Sequence, residues 1–137
     1  MLIQFSRLVM AATVRAGSVA RPPLSPTQVR TLTVLAAAED GLSLGGVADL
    51  VATSLSSASR IVQRLVRDGL VDRFAGPGNE LRLALSEHGT AVLADVNRVR
   101  IAPLRSLLDR LPAAEHDAAI TALENIVGAA RDTDAIW

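Results

Sequence analysis

The chain has 137 residues, half of them hydrophobic, which is enough for one domain or one protomer of an intertwined oligomer and excludes a disordered chain. It contains no cysteine, so disulfides, thiol nucleophiles and thiolate metal sites are excluded. The formal net charge of zero argues against promiscuous binding to nucleic acids. Two Phe and one Trp make up the aromatic content, so the core has to consist of Leu, Val, Ile and Ala.

The first predicted element is a helix from residue 2 to about residue 17 that is apolar on almost every side. Such a helix has to be buried on several faces, and we expect another subunit to cover it. Its apolar run from Leu8 to Val14 is far too short for a membrane span and marginal for the core of a signal peptide. We therefore expect a cytoplasmic protein that does not enter a membrane.

The next two helices are predicted from their caps and apolar spacing. Ser25 is expected to be an N-cap, with Pro26 at the first helical position. The core stripe of this helix is predicted to be Val29, Leu32, Leu35 and Ala36. An extended piece of two or three residues at 42–44 leads into a short helix. The inward residues of this short helix are predicted to be Val47, Ala48 and Val51.

A strongly amphipathic helix follows in the sequence SLSSASRIVQRLVRDG. Ser54 is expected to cap it. Its apolar residues recur at the spacing i, i+3, i+4, i+7, and they are Ala58, Ile61, Val62 and Leu65. Gly69 is expected to end the helix in the left-handed conformation that glycine adopts without strain.

A short hairpin is predicted next. Its strands lie at residues 70–75 and 80–85, and the second strand has alternating leucines. The sequence Gly-Pro-Gly-Asn between the strands is typical of a turn.

Two helices complete the chain. Ser86 is expected to cap a long helix from Glu87 to about Arg110, which Pro103 bends or interrupts. A last helix is expected to begin at Pro112 or just after it.

The order of these elements predicts a winged helix-turn-helix. A short helix, a tight turn and a second amphipathic helix form the helix-turn-helix, and the hairpin after them forms the wing. The predicted fold class is therefore mainly α with a small β-hairpin. In such units the polar side of the second helix enters the major groove of DNA. Winged helices also serve as docking modules, so a protein-interaction module that has lost DNA binding is the alternative.

The distribution of charge leaves room for a focused nucleic-acid site but does not decide for or against one. Residues 53–86 hold five Arg and three acidic residues, whereas residues 87–137 hold five Arg and eight acidic residues. Small hydroxyl residues let a helix end approach DNA closely and bind phosphate oxygens, while arginine and glutamine can read guanine and adenine edges. The polar side of the second helix carries Ser56, Ser57, Ser59, Arg60, Gln63 and Arg64, with Arg67 further back.

Several stretches of the chain also resemble a known family. The most specific are SASRIVQRLVRDGLVDR and, at the distance of a wing, LRLALSEHG. Over most of its length the chain resembles the MarR family of bacterial transcriptional regulators. This resemblance implies a homodimer, clasped by its N- and C-terminal helices, that binds a palindromic double-stranded DNA operator. It also implies a repressor that a small, often phenolic, effector releases from DNA.

The resemblance implies three parts of the chain. They are an N-terminal dimerisation helix at 1–22, a winged helix-turn-helix DNA-binding lobe at 23–86 and C-terminal dimerisation helices at 87–137. An effector pocket would lie between the dimerisation helices and the DNA-binding lobe, with aliphatic walls and an arginine at its mouth.

Helix pattern and resemblance together give the expected DNA-binding residues. They are Ser54, Ser56, Ser57, Ser59, Arg60, Gln63, Arg64, Arg73 and Arg82. The wing of the family usually has an Asp-x-Arg-Arg run whose arginine enters the minor groove. Here the tip at residues 76–80 has no arginine, so we expect DNA binding that is weaker or that depends less on the wing. Gly45 and Gly46 predict a frayed start of the first helix of the motif, at a cost of about 1 kcal/mol each relative to Ala.

No catalytic or metal site is predicted. His88 and His116 are the only histidines, and neither has a partner at a metal-ligand spacing. The sequence contains no nucleophile elbow, phosphate loop or paired carboxylates. We therefore expect neither enzymatic activity nor a cofactor.

Overall fold

The computed structural model describes the backbone of residues 1–132 and the side chains of residues 1–130. Within that range it contains six α-helices, one two-stranded antiparallel sheet and one 3₁₀ turn. The helices are α1 Leu2–Val19, α2 Pro26–Ala36, α3 Leu44–Val51, α4 Leu55–Arg67, α5 Glu87–Leu108 and α6 Ala113–Asp132. The strands are β1 Val71–Ala75 and β2 Leu81–Leu85, and the 3₁₀ turn between them is Pro77–Asn79.

The predicted fold class, mainly helical with a small hairpin, is therefore confirmed. The chain forms two compact units, residues 1–100 and the residues from 101 onwards, so α5 contributes to both. The division into dimerisation and DNA-binding parts stays a prediction. No helix within residues 1–132 is long and apolar enough to cross a membrane.

The core of the first unit is aliphatic, as its composition predicts. Leu32 of α2, Leu65 of α4 and Leu83 of β2 are fully buried, together with Leu70 between α4 and β1. Further buried residues come from every helix of the unit, and they are Ala16, Val29, Leu35, Val47, Val51, Val62, Val92, Leu93 and Val96. One continuous core thus fixes α4 and the hairpin relative to α2, α3 and the first part of α5.

The cap predicted for α2 is present as a complete capping box. The Gln28 backbone N–H donates to Ser25 Oγ at 3.2 Å, and the Ser25 backbone N–H donates to Gln28 Oε1 at 2.8 Å. The predicted core stripe is wrong at one position, because Ala36 is exposed in the last turn. Thr31 is buried instead, and its hydroxyl donates to the Thr27 carbonyl at 2.9 Å.

The hairpin keeps the predicted strands within one residue of their bounds. Its register pairs Val71 with Leu85 and Ala75 with Leu81. The extended piece predicted at 42–44 is reduced to one residue, because α3 already begins at Leu44 and only Leu42 pairs with β2. Leu42 and Leu83 exchange two backbone hydrogen bonds of 2.9 and 2.8 Å.

The long helix α5 begins at the cap that was predicted. The Gly89 backbone N–H donates to Ser86 Oγ at 2.8 Å, and the same hydroxyl donates to the Gly69 carbonyl at 2.6 Å. The helix continues through Pro103 without interruption and ends at Leu108, two residues before the predicted end. The last helix begins at Ala113, as predicted.

Candidate nucleic-acid interface

A tight turn joins α3 to α4. Ala52 adopts a left-handed conformation with φ 56°, and the Thr53 backbone N–H donates to the Ala48 carbonyl at 2.9 Å. Ser54 is extended, and its side chain accepts the Ser57 backbone N–H at 3.2 Å, as its predicted role as N-cap requires. The chain therefore turns within three residues, and α4 begins at the edge of the unit.

The serines at the start of α4 form a small hydroxyl network. Ser54 Oγ lies 3.2 Å from Ser56 Oγ and 3.0 Å from Ser57 Oγ. Ser56 is exposed, whereas Ser57 is half-buried. All three hydroxyls stand at the helix end that carries the free backbone N–H groups and the positive end of the helix dipole. This end of α4 has the donors that an anionic group needs.

The two sides of α4 have opposite chemistry. Its inner side packs Ala58, Val62 and Leu65 into the core, and Ile61 is half-buried, so the predicted stripe is present. Its outer side leaves four long polar residues exposed to solvent: Arg60, Gln63, Arg64 and Arg67. No acidic residue lies within the helix, so its exposed side is positively charged.

Two of these polar residues have partners within the helix. Arg64 Nε lies 3.7 Å from Asp68 Oδ2, one turn further along, and both groups contact solvent. Gln63 Nε2 donates to Ser59 Oγ at 3.2 Å. Among the described side chains, no acidic oxygen lies within 4.0 Å of the Arg60 or Arg67 guanidinium. Arg60 is therefore the cation near the front of α4 that has no competing ion pair there.

The structure brings two predicted residues together beside the wing. Arg73 of β1 and Ser59 of α4 both line a small cleft of about 50 Å³. The other walls of this cleft are Leu44, Val62, Leu81 and Leu83. Arg73 is exposed, so its guanidinium stands in solvent between α4 and the hairpin.

Arg82, the remaining residue predicted to bind DNA, is directed toward partners within the protein. Its Nη1 donates to the Gly41 carbonyl at 3.2 Å, and its Nη2 donates to Glu80 Oε2 at 3.1 Å. Its side chain is only 28% exposed. Both terminal nitrogens therefore have partners within the protein, unlike those of Arg60.

The geometry adds two residues that the sequence pattern did not single out. Leu55, the first residue of α4, is 58% exposed, where an apolar side chain can meet the methyl group of thymine. Arg30 of α2 donates from Nη2 to the Leu50 carbonyl at 2.9 Å and so binds the end of α3. The sequence signal for Leu55 was a leucine that directly follows the predicted N-cap and lies outside the apolar stripe of the helix. No sequence pattern indicated Arg30, because its hydrogen bond joins residues that lie 20 positions apart.

The two histidines belong to other helices, α5 and α6. His88 is exposed in the first turn of α5, and His116 Nδ1 lies 3.5 Å from Asp117 Oδ1. Within the part of the chain that the structure describes, no three His, Asp or Glu side chains are grouped closely enough to hold a metal ion.

A protein-family model matches the chain from just before α2 to the tip of the hairpin. Residues 23–79 match the model of the MarR family. Over this segment, which makes up less than half of the chain, the sequence is similar to the MarR family. None of the curated proteins matches the chain.

Solved structures share the fold beyond the matched segment. RV1404 from Mycobacterium tuberculosis is 28% identical, with a TM-score of 0.78 over 93% of this chain and 88% of that one. A mutant of MepR from S. aureus, bound to an oligodeoxyribonucleotide, is 16% identical with a TM-score of 0.71, covering 93% and 94%. The MarR repressor of Listeria monocytogenes is 17% identical with a TM-score of 0.71, covering 95% and 89%. At such identities the last two similarities show the MarR fold alone.

Proposed function

We propose that this chain is a transcriptional regulator that binds double-stranded DNA as a homodimer, with α4 in the major groove. The observation that carries the proposal is the exposed side of α4, where three arginines stand on a helix without acidic residues. A MepR structure of the same fold is bound to an oligodeoxyribonucleotide, which supports DNA as the partner.

The roles of the residues follow from their places on α4. Ser56 and Ser57 at its front bind phosphate oxygens together with the free backbone N–H groups of the first turn. Arg60 reaches a base edge or a phosphate, and Arg64 does so after leaving Asp68. Arg73 contacts the backbone beside the wing, since it is the exposed cation of the hairpin.

A second candidate function is a protein-docking module. It is favoured by Arg82, the one arginine near the wing tip, because its terminal nitrogens already bind Gly41 and Glu80. The zero net charge also favours it. In that case the exposed arginines of α4 would bind an acidic protein surface.

A mobility-shift titration with DNA from the upstream region of the protein's own gene, at several salt concentrations, tests the proposal. We expect specific binding that weakens steeply with salt, because each phosphate contact releases a counterion. The variant with Arg60→Ala and Arg64→Ala should lose this binding. The matched control removes two exposed arginines outside the winged helix, Arg105→Ala and Arg110→Ala; since they lie in the predicted dimerisation helices, it should retain binding once sedimentation shows that it is still a dimer.

Absence of specific binding by the intact dimer at low salt would rule out a DNA-binding regulator. Equal losses in the α4 variant and in its control would mean that net charge, and not the surface of α4, determines binding. In a dimer that binds successive major grooves, the two α4 helices should lie about 34–36 Å apart.

Repression and release by a small effector complete the proposal. A cleft of about 210 Å³ lies between the end of α1 and α5, within the two predicted dimerisation parts and not beside the DNA-binding lobe as expected, with aliphatic walls from Ala16, Val92 and Val96 and with Arg21 and Arg98 at its edge. Asp95 also lines the cleft and pairs with Arg98 at 2.9 Å, so a small anion with an apolar body would have to displace this carboxylate from Arg98. We expect benzoate to weaken DNA binding by the wild type but not by a variant with Arg21→Met and Arg98→Met. Equal responses of the two proteins would exclude this cleft as the effector site.

A further inference from the structure

We infer that Arg82 is a positioning residue for DNA binding: its guanidinium fastens the wing, residues 71–85, to the turn before α3 and so fixes the hairpin beside α4. The inference rests on the proposed function. It assigns the arginine nearest the wing tip to a contact inside the protein and not to DNA.

Three separate contacts join the wing to the turn at residues 41–42. Arg82 Nη1 donates to the Gly41 carbonyl at 3.2 Å. Leu42 and Leu83 exchange two backbone hydrogen bonds. The ring of Phe74 covers Gly41 so closely that a Cβ on Gly41 would lie 2.8 Å from Phe74 Cζ. The turn and the wing therefore pack directly against each other, and Arg82 contributes a hydrogen bond from a charged group to this contact.

The hairpin itself holds Arg82 in this position. Glu80 Oε2 accepts from Nη2 at 3.1 Å, which turns the guanidinium along the strand. The side-chain stem lies against Gly76, where an added Cβ would be 2.5 Å from Arg82 Cγ. Arg82 Nε is buried and has no hydrogen-bond acceptor among the described residues. The Arg82 guanidinium therefore cannot reach a phosphate without breaking its contacts with Gly41 and Glu80.

This fastening matters for DNA binding because a wing that is fixed in advance loses less conformational entropy on binding. The hairpin has two strands only, and such a unit depends on its packing for a fixed position. Arg73 belongs to the same hairpin and lines a cleft together with Ser59 of α4. The position of the wing therefore also sets the position of the exposed Arg73 guanidinium relative to α4.

The fastening can be tested on the protein without DNA. Arg82→Met keeps an unbranched stem but removes the guanidinium, and Glu80→Gln removes only the ion pair. Hydrogen exchange at the Leu42 and Leu83 amides should become roughly tenfold faster in Arg82→Met, because a net hydrogen bond from a charged group is lost. Glu80→Gln should give a smaller increase, and the control Arg105→Met should give none.

Gly76→Ala approaches the same contact from the opposite side. Its backbone, with φ −87°, accepts alanine, but the new Cβ has to displace the Arg82 stem. The effects of Gly76→Ala and Arg82→Met on exchange should therefore not add in the double variant, because both changes break one contact. Additive effects would contradict the fastening.

The DNA measurements separate positioning from direct contact. Arg82→Met should weaken binding by about 3- to 10-fold, since the free wing has to be ordered on binding. The slope of log K against log salt should stay unchanged, whereas loss of a phosphate contact lowers it by about one. Arg60→Ala provides the comparison, with weaker binding and a reduced slope.

Each other outcome overturns the inference. Unchanged exchange at Leu42 and Leu83 would mean that Arg82 does not fasten the wing. Faster exchange with unchanged DNA affinity would mean that the contact serves the fold only. A reduced salt slope would assign Arg82 to a phosphate. If the wild type binds no DNA, the proposed function fails and the role of Arg82 in binding fails with it, while the exchange data still report separately on the fastening.

Discussion

At the scale of single residues, the motif Ser-Glu-x-Gly has a local physical cause. Ser86 Oγ accepts from the Gly89 N–H and donates to the Gly69 carbonyl, so one hydroxyl serves two elements. Gly89 lies directly against the carbonyl oxygen of Leu70 and leaves no room for a Cβ. The first turn of α5 can therefore approach the segment after α4 this closely only with a glycine at position 89, and the Ser86 hydroxyl joins the two.

Gly89→Ala should destabilise the protein strongly. The new methyl group would overlap the Leu70 carbonyl oxygen, a backbone atom that cannot rotate away, so we expect a loss of at least about 2 kcal/mol in the free energy of unfolding. Urea unfolding followed by circular dichroism measures it. Gly45→Ala is the control, since its Cβ meets only Ser43 Oγ at 3.9 Å, and it should be neutral or stabilising by up to about 1 kcal/mol. Equal effects of the two changes would contradict the proposed overlap.

Ser86→Ala should cost about 1–2 kcal/mol of stability. It removes the N-cap of α5 and leaves the Gly69 carbonyl without its hydroxyl donor. Ser18→Ala provides the comparison, because that exposed hydroxyl only donates to the Arg15 carbonyl within its own helix. A midpoint of urea unfolding that shifts no further for Ser86→Ala than for Ser18→Ala would remove Ser86 from this structural role.

The prediction that Ala36 lies in the core was wrong for a reason that also concerns single residues. Apolar spacing favoured Ala36, yet the buried residues of α2 include Gln28 and Thr31. Gln28 can be buried because its side chain completes the capping box, and Thr31 because its hydroxyl binds the Thr27 carbonyl. A pattern that counts only apolar side chains cannot detect polar groups whose hydrogen bonds are made within their own helix.

At the scale of elements, α4 was predictable almost completely, because its signals are local. Ser54 caps it, the apolar stripe is continuous, and Gly69 follows it with φ 71°. The wing was predictable as two strands and a turn, but the orientation of Arg82 was not. Its partner Gly41 lies 41 positions away in the sequence, and no local pattern indicates a contact of that range.

Asp68→Asn should strengthen DNA binding by a few-fold. The change frees Arg64 from an exposed ion pair and removes a negative charge near phosphates. Its effect on protein stability should be below about 1 kcal/mol. Affinity measured at fixed salt, in the wild type and in an Arg64→Met background, separates the two causes, since only the charge effect persists in that background. An increase of the same size in both backgrounds would mean that the ion pair does not restrain Arg64.

At the scale of the whole molecule, the sequence predicted an apolar first helix that needs cover, and the structure shows which side needs it. Ala12 and Ala16 face the core, while Ile3 and Met10 are 69% and 59% exposed. Val14 is exposed on the same side as these two. Helix α6, considered by itself, also exposes apolar residues, among them Ile126. These faces support the proposed homodimer, whose partner a single sequence cannot place.

Ile3→Asp combined with Met10→Asp should convert the dimer to a monomer, because two charges would have to be buried in the apolar interface. Analytical ultracentrifugation at micromolar concentration measures this. Gln4→Asp combined with Arg15→Asp places two aspartates at exposed positions on another side of α1 and should leave the dimer intact. A wild type that sediments as a monomer would refute dimerisation through this helix.

The hydroxyl of Ser86 has a mechanical consequence as well. The Ser86 hydroxyl joins the first turn of α5 to Gly69, just after α4, by a hydrogen bond of 2.6 Å, so a displacement of α5 strains the segment that ends α4. Val92 and Val96 on α5 line the cleft beside α1. A ligand that widens this cleft would displace α5 relative to α1. We expect part of this displacement to reach the end of α4 through the Ser86 hydrogen bond.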